Sequence, residues 1–206
     1  MNTKQRIIEE ALILFSKKGY SDTYVGDIAS AVGIKAPSLY KHFKSKQEIF
    51  DAILDLLKDS YTEYALALDI QGDNEITDAD IYSKINEDKL VEIGKALFLY
   101  FLHNEKVRLF RKMLTVEQYK TPELSHLYTK QYFDEPIKYQ HRIFDLLIAK
   151  GKLKQCDPEI MASQFYSPIY TLLTICDRHP EREKEAIEII DNHIRQFNKM
   201  YTTEGN

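Results

Sequence analysis

Between Val25 and Phe43 apolar residues recur at helical spacing in two short runs separated by a single glycine. Val25, Ile28, Ala29 and Val32 lie three or four residues apart, which places side chains on one face of a helix. Gly33 follows at once, where a helix commonly ends in a left-handed residue that glycine adopts without a side-chain clash. Pro37 fits the first turn of a second helix beginning at about Ala36, because its missing N–H has no intrahelical partner there. On that helix Ala36, Leu39 and Phe43 share one arc, while Pro37, Ser38, Tyr40, Lys41 and His42 project outward. With Lys35 just before it, this short, donor-rich and partly cationic strip suits a helix whose N-terminal half enters a major groove.

The remaining pattern is helical throughout. A first helix is expected from about Lys4 to Lys18, burying Ile7, Ile8, Ala11, Leu12, Leu14 and Phe15 and ending at Gly19. Ser45 with Glu48 forms a capping-box arrangement that opens a long connecting helix from about 45 to 68. Asp69 to Asp80, rich in Asp, Asn and Gly, breaks the periodicity and reads as a loop and the best candidate for a mobile segment. Helical patterns resume from about Asp88 to His103 and from about Asn104 to Tyr119. Thr121-Pro122-Glu123 opens the next helix, with Pro136 placed to kink or split it before Gly151. Asp157-Pro158-Glu159 opens another, to about Cys176, and Pro180 opens the last, to about Tyr201. No useful length alternates with a period of two, so the expected class is all-α.

Hydrophobic residues at 44% and charged residues at 29% are ordinary for a soluble globular chain, and 206 residues accommodate a small domain plus a larger helical one. The expected division is residues 1–47 and residues 48–206. The net charge of -4 hides an asymmetry, because residues 1 to 47 hold eight Lys/Arg against four Asp/Glu. A basic head on an acidic body directs the head towards phosphate. Two widely separated cysteines, Cys156 and Cys176, do not make a disulfide framework, and reduced thiols are expected. The N-terminus lacks the apolar stretch of a signal peptide, and Ala96 to Leu102 is too short to span a bilayer, so the expected location is cytoplasmic, with no membrane partner.

Residues 5 to 50 closely resemble the tetracycline-repressor-like (TetR/AcrR) family of bacterial transcription regulators. The resemblance rests on Phe15-Ser16-Lys17-Lys18-Gly19-Tyr20, Thr23, Ile28-Ala29, Gly33-Ile34, Ser38-Leu39-Tyr40, His42-Phe43 and Lys44-Ser45-Lys46. Where the family often carries Thr or Ser this chain has Tyr24, and Gly26 stands where a polar or charged residue is common; Thr23 is then a candidate cap for the second helix. The resemblance implies a DNA-facing set of Thr23, Tyr24, Lys35, Ala36, Pro37, Ser38, Tyr40, Lys41, His42 and Lys46. Of these, Tyr40, His42 and Lys46 would chiefly meet the phosphate backbone, and residues 35 to 38 and 41 would lie nearer the bases.

The resemblance further implies a homodimeric repressor on a pseudo-palindromic operator, released by a small-molecule inducer, with the long connecting helix as the lever. Terminal helices form the dimer interface in the family, which here means Phe165, Ile169, Leu172, Leu173, Cys176, Ile187, Ile190, Ile194 and Phe197; the spacing alone fits an intramolecular core equally well. The body is rich in Tyr and Phe, which suits both core packing and a pocket for a hydrophobic or aromatic ligand. The candidate ligand-facing set is Phe98, Phe101, Phe110, Tyr132, Phe144, Phe165, Tyr166 and Tyr170. Alternatives are a dimeric DNA-binding protein that is not ligand-gated and, from another class, a helical metal-binding enzyme resting on Glu123 and His126. A di-iron bundle needs two such Glu-His pairs, and only one is present. No nucleophile elbow, P-loop or dinucleotide fingerprint occurs, so neither cofactor, metal nor catalysis is expected.

Overall fold

The computed structural model describes residues 2–203, and their regular structure is helical apart from one isolated bridge between Leu153 and Thr202. Residue 1 and residues 204–206, the outer ends of the two expected domains, lie outside the described residues. The all-α expectation holds. Packing separates two compact units, each discontinuous in sequence: the chain through Tyr61 together with Glu105–Thr129, and Thr62–Asn104 together with the chain from Lys130 onward. The division expected at 47/48 is therefore not where packing divides the chain, because two distant helices complete the core of the N-terminal unit.

In the first unit α1 (Thr3–Lys18) starts with a reciprocal cap between Asn2 and Gln5 and stops at Gly19, whose φ of 90° disfavours any other residue. Helices α2 (Val25–Val32) and α3 (Ala36–Leu39) follow, then α4 (Lys46–Ala67), which belongs to this unit as far as Tyr61. Ser45 caps α4 as expected, its hydroxyl accepting the Glu48 N–H at 3.1 Å. Helices α7 (Glu105–Glu117) and α8 (Pro122–Thr129) complete the unit. Ile7, Leu12 and Phe15 of α1 are buried, as are Ile28 and Val32 of α2, Leu39, Ile49 and Ile53, and Met113 and Leu114 of α7. Rings link the elements, with Tyr20 at 4.9 Å from Phe50 and Phe50 at 5.8 Å from Phe110.

The second unit holds the rest of α4, α5 (Glu75–Tyr82), α6 (Glu87–His103), α9 (Glu135–Ala149), α10 (Pro158–Arg178) and α11 (Glu183–Tyr201). Helix α5 replaces the second half of the loop expected over 69–80. Asn74 caps it, accepting the Thr77 N–H at 3.1 Å. The buried Asp78 carboxylate accepts the Gln71 and Gly72 N–H groups at 2.7 and 2.8 Å and the Tyr139 hydroxyl at 2.6 Å. A polar composition that reads as loop thus holds a cap and a carboxylate that organises the turn before it.

One π turn, Lys130–Asp134, precedes α9. Pro136 explains it: proline has no N–H for the carbonyl four residues back and its ring crowds that carbonyl, here that of Tyr132. The Tyr166 hydroxyl of α10 donates to the Tyr132 oxygen at 2.9 Å instead. Helix α10 opens on Asp157, which accepts the Glu159 N–H at 2.9 Å. Helices α6 and α11 approach so closely at Gly94 that an added Cβ would overlap the Ile194 Cδ1. Arg195 closes their ends with ion pairs to Glu87 at 2.9 Å, Asp88 at 2.8 Å and Asp191 at 2.8 Å. Cys156 and Cys176 are free thiols, and no helix among the described residues is long and apolar enough to cross a membrane.

Candidate nucleic-acid interface

Two short helices hold the outward strip because each buries a few residues. Gly33 ends α2 in the left-handed region at φ 76°, ψ 31°, and the Ile34 N–H returns to the Ala29 carbonyl at 2.9 Å, closing the turn before α3. Arg6 of α1 donates to the Val32 carbonyl at 2.6 Å, taking up another oxygen at the same end. Leu39 and Phe43 are buried as the periodicity predicts, whereas Ala36 is half-buried. Lys35, Pro37, Tyr40, Lys41 and His42 are exposed and Ser38 half-buried, so the expected reading strip faces solvent.

Two residues of the DNA-facing set, Thr23 and Lys46, turn to partners inside the head, while Tyr24 is exposed. Thr23 is fully buried and its hydroxyl donates back to the Gly19 carbonyl at 2.7 Å, so it neither caps α2 nor faces DNA. The cap position is Tyr24, 72% exposed, whose N–H is taken by the Asp27 carboxylate at 3.0 Å; the side chain at the third helical position supplies what the cap residue lacks. Lys46 turns inward. Its ammonium donates to the carbonyls of Tyr20 at 2.7 Å and Thr23 at 2.9 Å. Burial pushes its pKa below the ordinary lysine value, against the opposing pull of Glu117 and Asp22.

The corner between α1 and α2 is also held from α7. Glu117 is fully buried, and its Oε2 accepts the Ser21 hydroxyl at 2.5 Å and the Ser21 N–H at 3.3 Å. Its Oε1 faces the Lys120 ammonium at 2.8 Å, and Lys120 also reaches Asp22 at 2.9 Å. Burial alone would raise the Glu117 pKa, but Lys120 and Ser21 more than offset it and hold the carboxyl below its ordinary value. None of these partners is legible locally, since Ser21 and Glu117 stand 96 residues apart.

Within the two units the expected ligand-facing aromatics take part in several ring groups. Phe110 belongs to the first unit, against Phe50. Phe144 and Phe165 pack with Phe197 at 5.1 and 4.9 Å. Tyr132, Tyr166 and Tyr170 stack on one another around the π turn, Phe101 sits edge-on to Tyr100 and Phe98 is buried. An open groove of about 810 Å³ in the second unit is lined instead by Ile189, Asn192, His193 and Gln196 of α11 with Glu87. Of the expected dimer residues, Leu172, Leu173, Cys176, Ile190, Ile194 and Phe197 are buried within the single chain, because the apolar arcs of α10 and α11 face their own unit. Phe165, Ile169 and Ile187 remain half-exposed. Glu123 and His126 are exposed on α8, and among the described residues no group of three His, Cys, Asp or Glu side chains is placed to hold a metal.

A buried three-helix head presenting an exposed cationic strip, followed by a helical C-terminal portion, defines a helix-turn-helix transcription regulator. Residues 7–53 match the family of bacterial regulatory proteins, tetR family, and residues 88–203 match the AefR-like transcriptional repressor, C-terminal domain. The chain belongs to the TetR family of transcriptional regulators. It is 24% identical over 205 residues to the Probable HTH-type transcriptional regulator YttP of Bacillus subtilis (strain 168), covering 99% of this chain and 90% of the relative. It is 52% identical over 48 residues to the biofilm operon icaADBC HTH-type negative transcriptional regulator IcaR of Staphylococcus aureus (strain Newman), 23% of this chain and 26% of that one. The fold is that of SmeT, the repressor of the Stenotrophomonas maltophilia multidrug efflux pump SmeDEF. A SmeT–triclosan complex superposes with a TM-score of 0.67 at 17% identity, over 98% of this chain and 93% of that one.

Proposed function

We propose that the protein is a homodimeric, cytoplasmic repressor that reads a pseudo-palindromic operator and is released from it by a small hydrophobic or aromatic ligand. The observation that carries the DNA-binding part is the strip of Lys35, Pro37, Tyr40, Lys41 and His42, exposed together while Leu39 and Phe43 anchor the same segment in the core. Lys35 and Lys41 supply cations for phosphate, and the small side chains at the start of α3 allow close approach to base edges. Tyr24, exposed at the start of α2, adds a backbone contact. Thr23 and Lys46 support this surface from inside.

Dimerisation rests on α10 and α11, where Phe165, Ile169 and Ile187 are half-exposed and Ile189 is exposed. Two-fold symmetry in the protein then requires two-fold symmetry in the operator. Release follows if a ligand binds better to a conformer whose heads do not fit DNA, and reciprocity requires operator DNA to weaken ligand binding equally. Support for a hydrophobic aromatic ligand comes from the fold shared with SmeT, which has been captured with triclosan.

The test is binding of the purified protein to the DNA immediately upstream of its own coding region at two salt concentrations, with footprinting. A salt-sensitive, two-fold-symmetric footprint is expected. Loss of even non-specific, salt-sensitive binding would overturn the reading.

A further inference from the structure

We propose that Glu117, on α7 and outside the helix-turn-helix, is a positioning residue for DNA reading: it fixes the corner between α1 and α2, and through α2 the presentation of α3. The inference rests on the DNA-binding reading above. Glu117 is fully buried, so it touches no DNA itself. A buried carboxylate is costly unless it is paired and hydrogen-bonded, and an apolar side chain of similar size would fill the space without that cost. What the carboxylate adds is direction. It takes both the hydroxyl and the N–H of Ser21, at 2.5 and 3.3 Å. Its counter-ion Lys120 reaches on to Asp22 at 2.9 Å, so two successive corner residues are held from one end of α7.

The corner is shaped to receive this group. A Cβ at residue 19 would overlap Glu117 Oε1 where it now lies, so glycine, which the φ of 90° already favours, also leaves room for the carboxylate. Lys46 holds the Tyr20 and Thr23 carbonyls of the same corner at 2.7 and 2.9 Å. The segment from Gly19 to Thr23 is therefore gripped by α4 and by α7, and α2 starts two residues after it. Since α2 packs directly on α3, a corner released from α7 lets the reading strip take several orientations, only one of which fits a base sequence.

The experiment compares full-length wild type, Glu117→Gln, Ser21→Ala and the double variant on the footprinted upstream fragment and on unrelated DNA of equal length, across a salt series, well below each variant's unfolding midpoint. Glu117→Gln is expected to weaken binding to the footprinted fragment about tenfold. It should leave the affinity for unrelated DNA and the salt slope unchanged, because no phosphate contact is lost. The double variant should bind no more weakly than the weaker single variant, as expected for one shared interaction. Ser21→Ala removes one hydroxyl from a half-exposed site and carries the test should Glu117→Gln not fold. Unchanged affinity for the footprinted fragment, or equal losses on both DNAs, overturns the proposal while leaving the DNA-binding reading intact. Wild-type protein that binds no DNA overturns both.

Discussion

The ammonium of Lys46 lies 4.3 Å from the centroid of the Tyr20 ring while donating to the Tyr20 carbonyl at 2.7 Å. A lysine at a position that the family resemblance assigns to phosphate is thus a clamp inside the head, closing α4 on the corner before α2.

Lys46→Ala is accordingly expected to lower the unfolding free energy by about 1–3 kcal/mol, since two carbonyls lose a charged donor, and to leave the salt slope of DNA binding at its wild-type value. Lys41→Ala, at an exposed position, should do the reverse, keeping stability within about 0.5 kcal/mol and reducing the slope by about one. Urea unfolding and a salt titration of both variants check this, and a flattened slope in Lys46→Ala would return that lysine to the DNA.

Tyr166→Phe removes the hydroxyl that donates to the Tyr132 carbonyl, and should cost about 1 kcal/mol. Pro136→Ala restores an N–H able to reach that carbonyl, so Tyr166→Phe should be nearly neutral in its background. Equal costs of Tyr166→Phe in both backgrounds would show that the π turn has another cause.

At Gly94 two effects compete. Alanine gains about 1 kcal/mol of helix propensity over glycine, but its Cβ would overlap the tip of Ile194, and overpacking costs about 1–3 kcal/mol. Because the overlapping atom is the far end of the Ile194 side chain and can shift, Gly94→Ala should be near neutral alone and more stabilising when Ile194→Val has removed Cδ1. A thermal-denaturation cycle with no coupling between the two sites would contradict the close approach of α6 and α11.

Glu117 also makes stability depend on pH. Its carboxyl is raised by burial but more than compensated by Lys120 and Ser21, leaving the folded-state pKa below the unfolded one. The charged form then stabilises the fold fully above the unfolded value of about 4.3, and that contribution is lost as pH falls through the folded value. The difference in unfolding free energy between wild type and Glu117→Gln should narrow as pH is lowered from about 6 to about 3. A difference constant over that range would mean that Glu117 does not titrate between the two states.

Much of the head was legible because its signals are local. The spacing of Ile28, Ala29 and Val32, the left-handed Gly33, Pro37 in the first turn and the Ser45–Glu48 cap each act within one or two helical turns, and the structure places them as the periodicity predicts. The Asp157-Pro158 opening of α10 is of the same kind. Helix α5 escaped because Asn74 and Asp78 occur as readily in loops as in caps, and nothing near them in the chain shows that Asp78 will be enclosed beneath Tyr139.

The apolar periodicity determined that the chain is helical and that Tyr40, Lys41 and His42 turn away from Leu39 and Phe43, since one helical turn suffices to settle both. Which polar side chains serve the interior was decided by the packing. Thr23 turns to Gly19, Lys46 to Tyr20 and Thr23, and Glu117 to Ser21. These partners are brought together by the stacking of α1, α4 and α7, and a hydroxyl, ammonium or carboxylate reads as solvent-facing until such packing removes the water and leaves a carbonyl, hydroxyl or N–H as its partner.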